Sequence, residues 1–495
     1  MAYCGFVTTL TNVRSHPNAD KMKLADCFKN TVCVGLEAAE GDVVIYYPVD
    51  GQLSEEYATK NNLVRIKNED GTYSGGYLDP EKRNIRAIKL RGEKSNGLTM
   101  PLSSLEYTGI KMSDLTIGTK IDVVNGHEIC QKYIPKTQHR KGTPSAGNKT
   151  RKHKVPTAPL FQEHADTEQL AYNFGAFKSG DEIEITLKMH GTSQRTAHVP
   201  VLKGYADSWS CQVGNAFRHI MRKMGCYRGE DVHDGKPIYD YGYISGTRRV
   251  VLDSFDGGFY GSNEFREQHA KVFEGKLERG EAVYYEVVGF THTGAPIMAS
   301  CDNKKLNDKE FIKQYGKETV FSYGCEPNPV VHEGYNDSTY GYQNEHVEYK
   351  LPQSDIYVYR MTMTNEDGFV VEYTPDFMRY RCEQMGVKTV PVFAKATLSE
   401  DRLHLVEPNG YDHDYLIGDG TIGDLVMKAA ERYYDGPDPV GKTHVREGVV
   451  VRILNRPKFC AYKLKNFSFK CLEGLVKADA TAPDMEESQE VEENA

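Results

Sequence analysis

The chain has 495 residues, 39% hydrophobic and 26% charged, the composition of a folded soluble protein long enough for two or three cores. No apolar run approaches the ~20 residues of a membrane span, and the N-terminus lacks the basic-then-apolar order of an export signal, so a cytoplasmic protein with no membrane partner is expected. Against 61 basic residues stand 70 acidic ones, a formal charge of −9 that disfavours a nucleic-acid partner unless the basic residues cluster, and eleven cysteines without CxxC pairs argue against a disulfide frame or a structural metal.

Residues 1–130 show short alternating runs such as VVIYY (43–47) and IRAIKL (85–90), punctuated by Gly, Asn and Asp turns, which predict a small β-rich unit closed as a barrel. Within it HPNADKM (16–22) resembles the HPNAD(K/R)L stretch of OB-fold tRNA-binding domains, although His16 to Asp20 alone is equally a Pro/Asn turn. OB barrels are nucleic-acid platforms. Residues 131–159 read as a basic flexible linker: Lys132, Lys136, Arg140, Lys141, Lys149, Arg151, Lys152 and Lys154 stand among Gly, Ser, Thr and Pro with no acid between them.

From 160 to 475 longer β-like runs alternate with a few helix candidates, such as 215–224 and 377–385, predicting an α+β domain of antiparallel sheets with flanking helices. Its sharpest feature is IEITLKMHGTS (183–193), a strand ending at a glycine turn with Lys188 at its tip. An amine that attacks the α-phosphorus of a nucleotide needs such a rigid mount, and burial beside other cations would favour its uncharged form. Gly191 would let the backbone approach the nucleotide, where a Cβ would collide. SGTRR (245–249) offers a basic turn able to grip a phosphate bidentately through Arg248 or Arg249.

In AVYYEVVG (282–289) one carboxylate, Glu286, interrupts an apolar strand, where it needs a sugar hydroxyl, a cation or a metal-bound water as partner. IYVYR (356–360) supplies Tyr359, an aromatic that could stack on a base. REGVVVR (446–452) opens a strand with Glu447 beside a glycine, suited to a divalent ion. AYKLKNF (461–467) places Lys463 and Lys465 two apart, on one face of a strand, where their shared positive charge suits a row of phosphates. Residues 476–495 form an acidic tail with too few apolar residues to fold.

Taken in order, these stretches resemble the motifs of ATP-dependent polynucleotide ligases, most closely the double-strand nick-sealing RNA ligases, and the likeness spans most of the chain. GDVVIYYPVD (41–50) and IKLRG (88–92) are similar to the OB domain that precedes the catalytic domain in one branch of them. Lysine followed by Met-His-Gly-Thr-Ser is the RNA-ligase form; DNA ligases and capping enzymes usually carry Asp at the place of His190. The resemblance implies an RNA ligase of the covalent nucleotidyltransferase superfamily that joins 3′-OH and 5′-phosphate RNA ends through lysyl-AMP and adenylylated RNA, in RNA repair. It implies ATP with Mg²⁺ or Mn²⁺ as cofactors, broken duplex RNA as partner, and a monomer.

By that likeness Lys188 carries the AMP, and His190, Gly191 and Tyr359 bind ATP. Glu286 contacts the ribose side and, with Glu447, the metal; Lys463 and Lys465 serve the ATP phosphates; and Arg248 or Arg249 meets the RNA 5′-phosphate. Thr167 and Gln169, in DTEQ (166–169), match the adenine-recognition stretch, with Leu170 or Ala171 where an Arg is common. The long interval from Lys188 to Arg248 implies an insertion around 200–240. A DNA ligase, a capping guanylyltransferase of the same superfamily, or a non-catalytic tRNA- or RNA-binding OB protein remain the alternatives.

Overall fold

Strand alternation in the larger domain builds two seven-stranded, almost wholly antiparallel sheets. The computed structural model describes residues 3–67, 73–133, 156–227, 231–252, 264–291, 354–440 and 445–478, with short pieces between 255 and 351. The first sheet runs in the order Glu168–Gln169, Ala461–Lys465, Gly448–Ile453, Glu182–Leu187, Val392–Leu398, Arg402–Val406, Asp412–Leu416. In the second, Val251–Leu252, Pro237–Gly246, Thr192–Tyr205, Glu281–Val288, Asp355–Thr364 and Val370–Glu372 follow one another, and Lys388–Thr389 joins Asp355–Thr364 from the side.

Each sheet buries its apolar face against helices. Helix Ile422–Glu431 packs Leu425, Val426 and Ala429 on Ile183, Ile185 and Val451, and is started by a capping box in which Thr421 and Asp424 satisfy each other's backbone. Helix Pro375–Met385 places Met378, Cys382 and Met385 under Val283, Tyr285 and Val358; Thr374 caps its start and Gly386, at φ +70°, ends it. The expected helix at 377–385 is this element, and the one at 215–224 is the longer Trp209–Lys223. Among the described helices none is long and apolar enough to cross a membrane.

The N-terminal unit is β-rich, as expected, but its pairings among the described residues form separate open sheets rather than one closed barrel. A four-stranded sheet is ordered Leu98–Pro101, Val43–Tyr47, Gly5–Thr9, Lys120–Ile121, and a three-stranded one comprises Thr11–Ser15, Lys23–Cys27 and Asn30–Val34. The HPNAD stretch is a brace: buried His16 meets the Leu90 carbonyl through Nε2 at 3.1 Å, and Asn18 donates to the Arg91 carbonyl at 3.0 Å. Two of the three quoted stretches of this unit therefore touch. Most of the basic segment (134–155) and the acidic residues from 479 onward lie outside the described residues.

The unit docks on the larger domain through rings and charge. Tyr172, three residues beyond Gln169, stacks on Phe6 at 5.0 Å and meets Phe28 edge-on at 5.4 Å, while Lys29 pairs with Asp424 at 2.5 Å.

Candidate active site

The strand Glu182–Leu187 is flanked by Val392–Leu398 and Gly448–Ile453, so its end is held rigidly and Lys188 leaves it with its backbone N–H donating to the Gly448 carbonyl at 3.0 Å. That register sets Glu447 beside the lysine. Gly448 makes the turn possible: it sits at φ +148°, and a Cβ there would meet the Leu464 carbonyl oxygen at 2.1 Å.

Glu447 is the hub of the site. Its buried carboxylate lies 2.7 Å from Lys188 Nζ, 3.4 Å from Lys465 Nζ and 3.3 Å from His190 Nδ1. Burial alone would raise its pKa, yet the charges of Lys188 and Lys465 and the hydrogen bond from His190 hold it well below the usual carboxylate range. The nearest charged partner of Lys188 is thus an anion, where the sequence suggested surrounding cations. Lys465 also pairs with Glu473 at 2.9 Å, from helix Phe467–Ala478, and the His190 ring meets Phe469 of that helix edge-on at 4.9 Å. These acids relieve the repulsion expected between Lys463 and Lys465. Lys463 is on the same strand face, opposite Val450 on one side and Gln169 on the other.

Beside this hub a cleft opens between the two sheets. Of the residues singled out in the sequence, Thr167, Lys188, Arg248, Glu286 and Tyr359 line it. Gln169, His190, Gly191, Arg249, Glu447, Lys463 and Lys465 do not line the cleft, although His190, Glu447 and Lys465 join Lys188 in the charge cluster. Glu286 is the one position of its strand that is not buried, which is how a carboxylate survives in an apolar run. Tyr359 exchanges a hydrogen bond with Ser193 at 2.9 Å and leans on the His164 ring at 5.1 Å.

Arg248 and Arg249 separate clearly. Both approach Asp166, at 3.6 and 3.1 Å, and although burial opposes it their charges hold that carboxyl below its ordinary range; only Arg248 faces the cleft. Gly191 has a different neighbour from the one expected: its Cβ would strike the Val287 carbonyl oxygen at 2.2 Å, so the glycine lets strand Thr192–Tyr205 lie against Glu281–Val288.

Several cleft residues were not read from the sequence. Glu184 precedes Lys188 by two strand repeats on the same face, a signal visible in the alternation, and accepts from Arg379 at 2.8 Å. Phe459 is held between Arg360 and Arg452, whose guanidinium carbons lie 4.9 and 5.1 Å from its ring. His164 reaches the site through an irregular segment with no periodicity to reveal it; burial and the charges of Arg248 and Arg360 push its pKa well below the ordinary value.

In overall fold the chain is similar to solved structures of Naegleria gruberi RNA ligase. A mutant of that enzyme with ATP and Mn overlays with a TM-score of 0.48 at 14% identity, covering 96% of this chain and 98% of the other. The form with PPi gives 0.49 at 14% identity over 94% and 97%, and a mutant with AMP and Mn gives 0.48 at 14% over 94% and 97%. No family model and no curated protein matches the sequence.

Proposed function

We propose that the protein is an ATP-dependent RNA ligase in which Lys188 accepts AMP and passes it to an RNA 5′-phosphate. The observation that carries this reading is the Glu447 hub: one buried carboxylate joined to Lys188, Lys465 and His190 beside a cleft lined by Glu286, Tyr359 and Arg248. A lone surface lysine would need none of these partners.

In this reading ATP lies in the cleft with its base near Tyr359 and Thr167 and its ribose near Glu286. Lys463 and Lys465 face its phosphates. The Lys188 amine leaves its ion pair, loses a proton and forms a bond to the α-phosphorus, while the bond to the bridging oxygen breaks and pyrophosphate departs. An RNA 5′-phosphate oxygen, steered by Arg248, then displaces the lysine, and a 3′-OH displaces AMP. The oxygen donors of Glu447 and Glu286 suit Mg²⁺ or Mn²⁺, which would neutralise phosphate charge. The N-terminal unit and the basic segment 131–159 serve as an OB-like RNA platform, and the setting is RNA repair in the cytoplasm.

The test is incubation with α-labelled ATP and Mg²⁺. Wild type retains acid-precipitable label and Lys188→Ala retains none; label from GTP in place of ATP, or sealing of DNA but not RNA nicks, would move the assignment to a capping enzyme or a DNA ligase. RNA binding without any label would reduce the protein to an RNA-associated scaffold.

A further inference from the structure

Helix Trp209–Lys223 is built inside out. Its polar side faces the protein: Asn215 accepts from Val232 N–H at 3.0 Å and donates to the Val232 carbonyl at 2.7 Å, Cys211 Sγ reaches the same carbonyl, and Arg222 pairs with Asp231. Ser208 caps its start and is itself held by Asp234 at 2.5 Å. These bonds tie the helix to the loop at residues 231–234. Its apolar side faces outward, with Trp209 79%, Val213 49%, Phe217 61%, Ile220 54% and Met224 67% exposed.

Single exposed apolar residues are ordinary, but a continuous stripe of five on one helix face marks an interaction surface. Two observations define what fits it. First, Val213, Phe217, Ile220 and Met224 are spaced four, three and four, the seam of a helix that packs on another helix. That spacing reads the same in both directions, so the seam is its own complement in an antiparallel pair: Val213 meets Met224 of a second copy, and Phe217 meets Ile220. Second, the one basic residue flanking the stripe, Lys223, lies at the C-terminal end of the helix, and no acid is present in the helix. An antiparallel pair sets each Lys223 at the uncharged N-terminal end of the other copy, whereas a parallel pair would set the two lysines side by side.

The position allows it. The strands Thr192–Tyr205 and Pro237–Gly246 stay paired out to Tyr205 and Pro237, while the neighbouring strand Glu281–Val288 accompanies them only to Ala197. At ~3.3 Å per residue the remaining hairpin carries the helix about 26 Å beyond the sheet, clear of the cleft. A row of basic residues flanking the apolar stripe would favour a lipid surface, but Lys223 alone flanks it, and Arg218 and Arg222 lie on the opposite, inward side of the helix.

We infer that this helix is a self-association surface, through which two copies of the chain join by an antiparallel helix pair and leave both clefts open. The inference does not rest on the catalytic reading, and it replaces the monomer expected from the resemblance. A seam of this length buries on the order of 1,200 Å² in total, the low end of specific interfaces, so the dimer forms with rising concentration rather than permanently.

The experiment uses the full chain in analytical ultracentrifugation from low to high micromolar concentration, with fluorescence of Trp209, the only tryptophan, read in parallel. The expected result is a mass rising from 55.8 kDa towards twice that value, with a blue shift of the emission over the same range. Phe217→Asp and Ile220→Asp should each stay at 55.8 kDa with red-shifted emission, unchanged circular dichroism and unchanged labelling of Lys188. A mass that stays monomeric throughout, or a dimer that persists in both variants, overturns the inference. So does a blue shift that appears only with anionic phospholipid vesicles, since that would assign the face to a membrane surface.

Discussion

Glu447 joins three residues at one point: it balances Lys188 and Lys465 and orients His190. Replacing it with Gln leaves Lys188 without its counter-charge. Glu447→Gln should lower covalent labelling at least ~100-fold, as loss of one preorganised electrostatic partner does, and lower stability by about 3 kcal/mol, as loss of one partner of a buried pair does. Both effects are read by labelling and by urea unfolding. Because its folded pKa is depressed, the stability Glu447 contributes is complete above the ordinary carboxylate value of 4.5 and is lost as pH falls below it. His164 acts earlier on the same descent. It is held neutral in the fold, so the unfolded chain takes up more protons once pH drops through 6.5, and stability falls from there downward. His164→Phe should flatten the loss of stability between pH 6.5 and the carboxylate range, measured as unfolding midpoints along a pH series.

Strands and turns place these side chains, and Gly448 and Gly191 are points of close approach beside them. At Gly448 an added methyl would meet the Leu464 carbonyl at 2.1 Å and the positive φ would be strained as well. Gly448→Ala should therefore cost about 3 kcal/mol or more and displace Glu447 from Lys188, seen as a lower Tm together with lost labelling. The helices Pro375–Met385 and Ile422–Glu431 take no part in the charge cluster; they back the two sheets and keep the cleft walls in place.

In the whole molecule, the segment carrying Tyr172 and the N-terminal unit share one aromatic cluster of Phe6, Phe28, Tyr46 and Tyr172, sealed by Lys29 and Asp424. This couples the unit expected to hold RNA to the stretch beside Thr167 and Gln169. Removing the ring at Tyr172, which is partly buried, should cost about 2–3 kcal/mol of docking. Calorimetry of Tyr172→Ala is expected to replace one unfolding transition by two; a single transition at the wild-type temperature would show that the cluster does not join the units.

The amino-acid sequence by itself determined the strands at 43–47, 183–187, 282–288 and 461–465, because alternation and buried runs are local signals, and it singled out the lysines and carboxylates that interrupt them. Only the tertiary structure decided which of these meet. Glu447 lies far from Lys188 in the chain and reaches it through strand pairing, a register that no local pattern contains. The same reason explains why Gly191 was assigned to the nucleotide when it serves a neighbouring strand, why Arg248 rather than Arg249 faces the cleft, and why His164 and Phe459 went unread. Burial and charge neighbours are properties of the folded arrangement, and so is the bonding of the polar face of helix Trp209–Lys223 to the loop bearing Val232.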